Sequence, residues 1–418
     1  MPGSSEQIYM TPRRFSDLPE YAFPRLRALL ERHPPGGEPL AMSIGEPRHP
    51  MPTLLHDSLA RHAEGYAKYP PIDGTPGFRA AVGEWLTTRF ALPDGTVDPD
   101  RMVLPLNGTR EGLFMAAMAL APSTKNGQRA TVLIPNPFYQ CYAAAALAVG
   151  AEPIFVPATP ENGWLPDYAS LPEDILARTV FAYYCSPSNP QGAVATREQL
   201  GRIAALAENY GFIVGFDECY SEIYPDTPPP GGLEAAVAEG VSLDHVLVFN
   251  SLSKRSNAPG LRSGFVAGGA APIEAMKRLR AYAGAPSPLP VLHAAEALWR
   301  DEAHVEANRA LYREKFDLVD EVLGGLPGYT APRGGFFLWL EVGDGEAATV
   351  DLWREHGVKV LPGAYLGRGD PRFIDGANPG ARYIRAALVE PAAVLRPGLE
   401  AIAKRLGAPA THPAEVTA

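Results

Sequence analysis

Cysteine is scarce in this chain of 418 residues: Cys141, Cys185 and Cys219 are an odd number, set far apart in apolar surroundings. A disulfide framework is thereby excluded. Long apolar runs are missing, and none approaches the ~18 residues that a membrane span requires. Positive charge is in deficit, 37 Lys and Arg against 47 Asp and Glu, for a net charge of −10. Broad electrostatic attraction to nucleic acid or to an anionic membrane is therefore not expected. An acidic substrate would need a local cluster of arginines instead. The opening stretch, Met1 to Met10, has no apolar core of the kind a secretion signal carries, and the expected location is the cytoplasm. Nine histidines show no ligand spacing such as His-Glu-x-x-His, so no metal site is expected. Lysine is the rare basic residue, seven against thirty arginines, and one placed at a strand end stands out.

What is present is an alternation of short apolar runs with helical patterns. The runs Arg101–Leu106, Thr131–Ile134, Thr179–Tyr184, Phe212–Phe216, Val246–Phe249 and Gly264–Ala267 read as strands. Uninterrupted apolar strands between helices predict an α/β fold, a mostly parallel sheet sandwiched by helices in a large domain. Beyond about Ala271 the pattern changes to one long helical region, Ile273 to about Leu326. Strands at Gly334–Leu340 and Arg382–Val389 follow, which predicts a smaller α+β domain. The expected division is an N-terminal arm with part of the small domain over residues 1–48, the large domain over 49–285, the small domain over 286–407 and a disordered tail over 408–418. Ser43-Ile44-Gly45 reads as a further short strand.

In such sheets ligands sit beyond the carboxyl ends of the strands, and there this chain places its unusual polar residues. Gly108-Thr109-Arg110 opens a helix, whose free amides and dipole suit a phosphate. Ser251, Ser253 and Arg262 add hydroxyls and a guanidinium to the same group. Tyr139 offers a face for a flat ring. Asp217 suits a protonated ring nitrogen, while Tyr220 and Asn189 suit a phenolic oxygen. Lys254, in Ser251-Leu252-Ser253-Lys254, sits where desolvation and nearby cations depress an amine's pKa and let it attack an aldehyde. A phosphate, a cationic ring, a ring oxygen and an aldehyde together describe pyridoxal 5′-phosphate. Each residue taken singly reads as readily as a cap, a turn or core; their joint appearance at successive strand ends carries the reading.

Six motifs make the chain resemble a fold type I, class I/II pyridoxal phosphate-dependent aminotransferase over nearly its whole length. They are Asn107-Gly108-Thr109-Arg110-Glu111, Pro135-Asn136-Pro137-Phe138-Tyr139, Ser188-Asn189-Pro190-Gln191-Gly192, Asp217-Glu218-Cys219-Tyr220, Ser251-Leu252-Ser253-Lys254 and Arg382-Tyr383-Ile384-Arg385. Within that family, Asn250 to Asn257 followed by Pro259 to Gly268 is most similar to the proteobacterial N-succinyldiaminopimelate aminotransferases. The resemblance implies a ping-pong transamination between N-succinyl-LL-2,6-diaminopimelate and 2-oxoglutarate. Lys254 would form the Schiff base with the cofactor and carry the proton from the substrate Cα, with Asp217 and Tyr220 as its catalytic partners. Arg385 would take the substrate α-carboxylate, beside Asn189 and the loop at Gly45. Tyr69 matches a tyrosine lent to the phosphate of the neighbouring subunit, which implies a homodimer with shared sites. Gln191 and Cys219 depart from commoner family patterns without removing a catalytic group. Arg255 and Arg79 are candidates for a distal carboxylate.

The nearest alternative is an aspartate, aromatic or branched-chain aminotransferase of the same fold. A penicillin-recognising serine enzyme fits Ser251-x-x-Lys254 but would need a downstream Lys-Thr-Gly, which is missing. A non-catalytic pyridoxal-binding regulator would need a DNA-binding region, and about forty residues of arm leave little room for one.

Overall fold

The computed structural model describes Leu18 and residues 20–327 and 329–407. The expected tail over 408–418 and the arm before Leu18 lie outside the described residues. Seven strands form the central sheet: β1 (Val103–Leu106), β2 (Thr131–Asn136), β3 (Glu152–Pro157), β4 (Thr179–Cys185), β5 (Ile213–Asp217), β6 (Val246–Ser251) and β7 (Gly264–Gly268). Their order is β1-β7-β6-β5-β4-β2-β3. Pairs from β6 across to β3 are parallel, and β7 is antiparallel to both its neighbours. Every residue of β1, β2, β4, β6 and β7 is buried, as a sheet covered on both faces demands.

The five helices that position the site are α1 (Ala22–Leu30), α2 (Thr109–Leu120), α3 (Gln140–Ala148), the single turn α4 (Leu252–Arg255) and α5 (Ala303–Leu323). A second, antiparallel sheet holds β8 (Phe337–Glu341), β9 (Leu361–Pro362) and β10 (Tyr383–Ala387), with β10 in the middle. Its core takes Tyr312, Phe316, Val319 and Leu323 from α5. Among the described residues no helix is long and apolar enough to cross a membrane.

Four expectations are corrected. The edge strand β3 escapes the sequence reading because Glu152, Pro153 and Pro157 break its apolar run. The region Ile273 to Leu326 is three helices, Ala270–Arg280, Leu289–Arg300 and Ala303–Leu323; Gly284, Pro286, Pro288 and Pro290 interrupt or open them, since proline cannot continue a helix. The short helix expected at Asp351–His356 begins at Gly345, where Asp344 caps it through the amides of Glu346 and Ala347. Residues 43–45 form no ladder; the nearby strand is Leu40–Ala41, parallel to Val358–Lys359.

One feature of topology matters for the site. Because β7 runs against its neighbours, it begins where they finish: Gly264 pairs with both Ser251 and Leu106. The residues just before β7, Arg262 and Ser263, therefore stand at the same edge as the carboxyl ends of β1 and β6.

Candidate active site

A cavity of about 420 Å³ opens at that edge, roofed by the β8–β10 sheet and by α1. Residues from widely separated chain segments converge on it. Of those expected, Gly45, Thr109, Arg110, Tyr139, Asn189, Asp217, Tyr220, Ser251, Ser253, Lys254, Arg262 and Arg385 line it.

Lys254 lies in the single turn that follows β6, and its Nζ donates to the Gly45 carbonyl at 2.5 Å, 5.2 Å from the Phe336 ring centre. No carboxylate pairs with it among the described residues. Burial pulls its ammonium down to about 8, and the guanidinium groups of Arg385 and Arg262 act in the same direction. Asp217 closes β5 in a fully buried setting. The Tyr142 hydroxyl donates to its Oδ2 at 2.6 Å and the Cys219 amide to its Oδ1 at 3.3 Å. Burial still pushes its carboxyl above the usual range, because no cation pairs with it among the described residues. Tyr220 stands edge-on to Phe336 and Phe337, its phenol raised by burial.

Arg385 lies in the middle strand of the second sheet and is buried. Its Nη1 donates to Asn189 Oδ1 at 3.0 Å and its Nη2 to the Ser43 carbonyl at 2.8 Å, while its Nε has no partner among the described residues. It sits 4.1 Å from the Phe337 ring centre. Burial holds its guanidinium down at about 10. A buried cation facing a cavity, bonded to neutral acceptors and to no carboxylate among the described residues, is suited to bind an anion.

At the other end, Gly108 caps α2 with φ +86°, a conformation that excludes nearly every other residue. A Cβ there would meet Arg262 Nη2 at 2.3 Å. Gly108 thus seats Arg262, which grips the Asn107 carbonyl at 3.0 Å and the Pro259 carbonyl at 2.8 Å. Thr109 Oγ1 lies 2.9 Å from Cys219 Sγ. Helix amides, two serine hydroxyls and a guanidinium at one place make an anion cradle.

The fit to pyridoxal phosphate can be tested on these three features. The cradle suits a phosphate, the uncompensated buried Asp217 suits a protonated ring nitrogen, and Lys254, with its lowered pKa, suits an aldehyde. The donor set matches the group at both ends and in the middle.

Some placements differ from expectation. Arg110 hydrogen-bonds the Tyr139 hydroxyl through Nε, and that bond raises its pKa. Tyr69 lines nothing in this chain, for it is wholly exposed. Arg79 is bound to Asp100 and to the Asp73 and Gly74 carbonyls. Arg255 is buried between Trp85 and Trp299 against Glu302. Neither lines the cavity of this chain. Tyr142 was not anticipated, although it stands one turn after Tyr139 on the helix that follows the same strand. Tyr21 and Phe23, from the arm, also line the cavity.

A family model described as aminotransferase class I and II matches residues 38–374. An LL-diaminopimelate aminotransferase of Desulforudis audaxviator is 32% identical over 409 residues, 96% of this chain and 98% of that protein. The crystal structure of an aminotransferase from Neisseria meningitidis superposes with a TM-score of 0.88 at 38% identity, covering 94% of this chain and 99% of the other. A probable N-succinyldiaminopimelate aminotransferase from Thermus thermophilus superposes with a TM-score of 0.80 at 25% identity, covering 92% and 100%.

Proposed function

We propose a function from one premise: the chain belongs to the class I and II aminotransferase family, and it is a pyridoxal phosphate-dependent enzyme that exchanges amino groups between an amino acid and a 2-oxo acid. The substrate pair we infer is N-succinyl-LL-2,6-diaminopimelate with 2-oxoglutarate, in the route to diaminopimelate and lysine. The carrying observation is Arg385, a buried guanidinium with no carboxylate partner among the described residues, facing the cavity that also holds Lys254 and Asp217. Two relatives whose names carry diaminopimelate support the substrate class.

The residues divide the work as follows. The amides of Gly108 and Thr109, with Ser251, Ser253 and Arg262, hold the phosphate, and Tyr139 covers the ring. Asp217, kept in place by Tyr142, holds the proton of the ring nitrogen. Tyr220 and Asn189 donate to the ring oxygen. When bound, the cofactor serves as the sink for the electron pair left as the substrate Cα loses its proton. Lys254 takes that proton and returns it, a task for which an amine pulled down to about 8 is suited near neutral pH. Arg385, oriented by Asn189 Oδ1, takes the α-carboxylate as a two-pronged pair.

Four cationic side chains line the cavity: Arg110, Lys254, Arg262 and Arg385. With three assigned, Arg110 is the group left for a distal carboxylate, and the Tyr139 hydroxyl holds it in place. We assign it there rather than to the cofactor. We place the enzyme in the cytoplasm as a homodimer in which Tyr69 of the partner subunit completes each phosphate site, in keeping with the full exposure of Tyr69 in a single chain. We keep the division into arm with part of the small domain, large domain and small domain at 1–48, 49–285 and 286–407.

A second reading, transamination of unsuccinylated LL-diaminopimelate, is favoured by the name of the Desulforudis relative. Steady-state assays with both compounds, aspartate and phenylalanine separate these readings. The succinylated substrate should lead in kcat/KM, and equal or better turnover of another donor would move the assignment to it. Arg110→Ala should lower kcat/KM for donors with a distal carboxylate by about 1.5–3 kcal/mol, a factor of roughly 10–150. Alanine as donor should change little. An equal loss across all donors would return Arg110 to the cofactor.

Capture of the cofactor by the cofactor-free protein requires a neutral amine. Its rate, followed by visible absorption in a stopped-flow mixer, should rise with pH and level off above about 8. A lysine in ordinary surroundings would still be gaining reactivity at about pH 10.

A further inference from the structure

The three residues after Lys254 take no part in the chemistry just assigned, yet each is tied to α5 or the residues leading into it. Arg255 donates to the Leu298 carbonyl at 2.7 Å and to Glu302. Ser256 Oγ lies 2.8 Å from His304 Nε2, and His304 Nδ1 lies 2.6 Å from Asp301 Oδ2. Although this is the order of a serine nucleophile, Ser256 is fully buried and meets no substrate. Asn257 Nδ2 donates to Asn308 Oδ1 at 2.9 Å.

Asn308 makes two further contacts. Its Nδ2 donates to the main-chain carbonyl of Lys254 at 3.3 Å, and its Oδ1 lies 2.7 Å from His49 Nδ1. Only one orientation of this amide satisfies all three neighbours. The Lys254 carbonyl cannot donate, so the amide nitrogen must face it, which leaves the oxygen to accept from both Asn257 and His49. His49 therefore carries a proton on Nδ1. The loop between residues 43 and 49 is thus pinned at one end by His49 on Asn308. At the other end the Ala387 amide donates to the Met42 carbonyl and Arg385 to the Ser43 carbonyl. Between the pins lies Gly45, whose carbonyl accepts from Lys254 Nζ.

We infer that Asn308 is a positioning residue for Lys254, fixing at once the lysine's carbonyl, the Asn257 that closes its turn and, through His49, the loop that meets its amine. The inference rests on the assignment of Lys254 as the amine that takes the cofactor and moves the substrate proton. Without Asn308 the lysine turn and the loop lose their shared anchor and move independently. The amine then spends less time where the proton is transferred, while the substrate anchors Arg385 and Arg110 stay as they are. The loss should fall on kcat rather than on KM.

The test uses the full-length enzyme with Asn308→Ala, His49→Ala and the double variant, read in two ways. Turnover should fall roughly 10–100-fold in Asn308→Ala, as small misplacements of a reacting group do, with KM within about threefold. Adding His49→Ala to Asn308→Ala should cost less than about twofold more, because both changes release the same anchor. The second readout is independent of turnover. In the cofactor-free protein, reductive methylation of Lys254 followed by mass spectrometry across pH should give a profile displaced from that of the unmodified enzyme. The charged groups about the amine, Arg385, Arg262, Glu46 and Cys219, are all retained in the variant, so a displaced profile reports a change in how the amine sits against them, Glu46 on the released loop included. Asn308→Asp, which keeps the acceptor for His49 and Asn257 but loses the donor to Lys254, should recover part of kcat. Unchanged turnover, or a loss accompanied by an unshifted methylation profile, would overturn the inference. A Lys254→Ala enzyme that still turns over would instead remove the assignment on which it stands.

Discussion

Lys254→Ala should lower turnover by at least about 10⁴-fold, since it removes both the amine that meets the aldehyde and the group that carries the substrate proton. Among the described residues no other lysine lines the cavity. Lys125 is fixed on the Thr179, Tyr210 and Gly211 carbonyls, Lys315 on those of Leu388 and Val389, and Lys277 on Asp73. None of the three lines the cavity. The phosphate cradle, Tyr139 and Asp217 remain, so the variant should still retain cofactor, bound without a covalent link and released on dialysis more readily. Fold stability should not suffer. The folded-state pKa of Lys254 is lowered, so its charged form is disfavoured by folding at every pH below about 8. Removing it should leave the thermal midpoint of the cofactor-free protein at or above that of the parent in that range. Retention of more than about one per cent of turnover would show that another group performs the proton transfer.

Much of this site is legible in one dimension because a parallel sheet delivers its strand ends to a single edge. Once β5 and β6 are recognised as strands, Asp217 and Lys254 must be near neighbours, and the register that pairs Asp217 with Phe249 fulfils that. Arg262 is a subtler case: it reaches the same edge only because β7 turns back antiparallel, and periodicity alone does not reveal strand direction. Other features depend on side chains that meet across long sequence separations. The bond between Tyr142 and Asp217 and the contacts of Asn308 with His49 and Lys254 leave no trace in local pattern. Arg255, one of the two candidates for a distal carboxylate, is a case of the same kind. An arginine beside the reactive lysine looks available for substrate, yet Trp85, Trp299 and Glu302 claim it from helices far along the chain. The breaks between the helices of 270–323 were visible as prolines and a glycine but were outweighed by the helical periodicity around them.

Arg385→Gln tests the substrate end of the cavity and separates function from stability. The α-carboxylate loses a charged two-pronged partner, and removal of such a partner from a buried pair costs about 2–5 kcal/mol, or roughly 30- to several-thousand-fold in kcat/KM for every amino donor. Donors with and without a distal carboxylate should suffer alike, in contrast to the selective effect of Arg110→Ala. The ligand-free protein should behave differently. Folding carries the guanidinium from water into a setting where its pKa is held at about 10, a penalty on the order of 3 kcal/mol for the charged form. Because the folded pKa is lowered, that penalty is present in full below pH 10 and lifts only as pH rises beyond it. Glutamine removes it while offering one amide donor to Asn189 Oδ1 or the Ser43 carbonyl; the acceptor left unpaired costs about 1–3 kcal/mol. The two contributions nearly offset, so the thermal midpoint without ligand should stay within a few degrees of the parent. Adding 2-oxoglutarate should raise the midpoint of the parent clearly more than that of Arg385→Gln, which keeps only the Arg110 contact to the distal carboxylate. Equal stabilisation of both proteins would mean that the carboxylate binds elsewhere, and Arg385 would then be a structural cation.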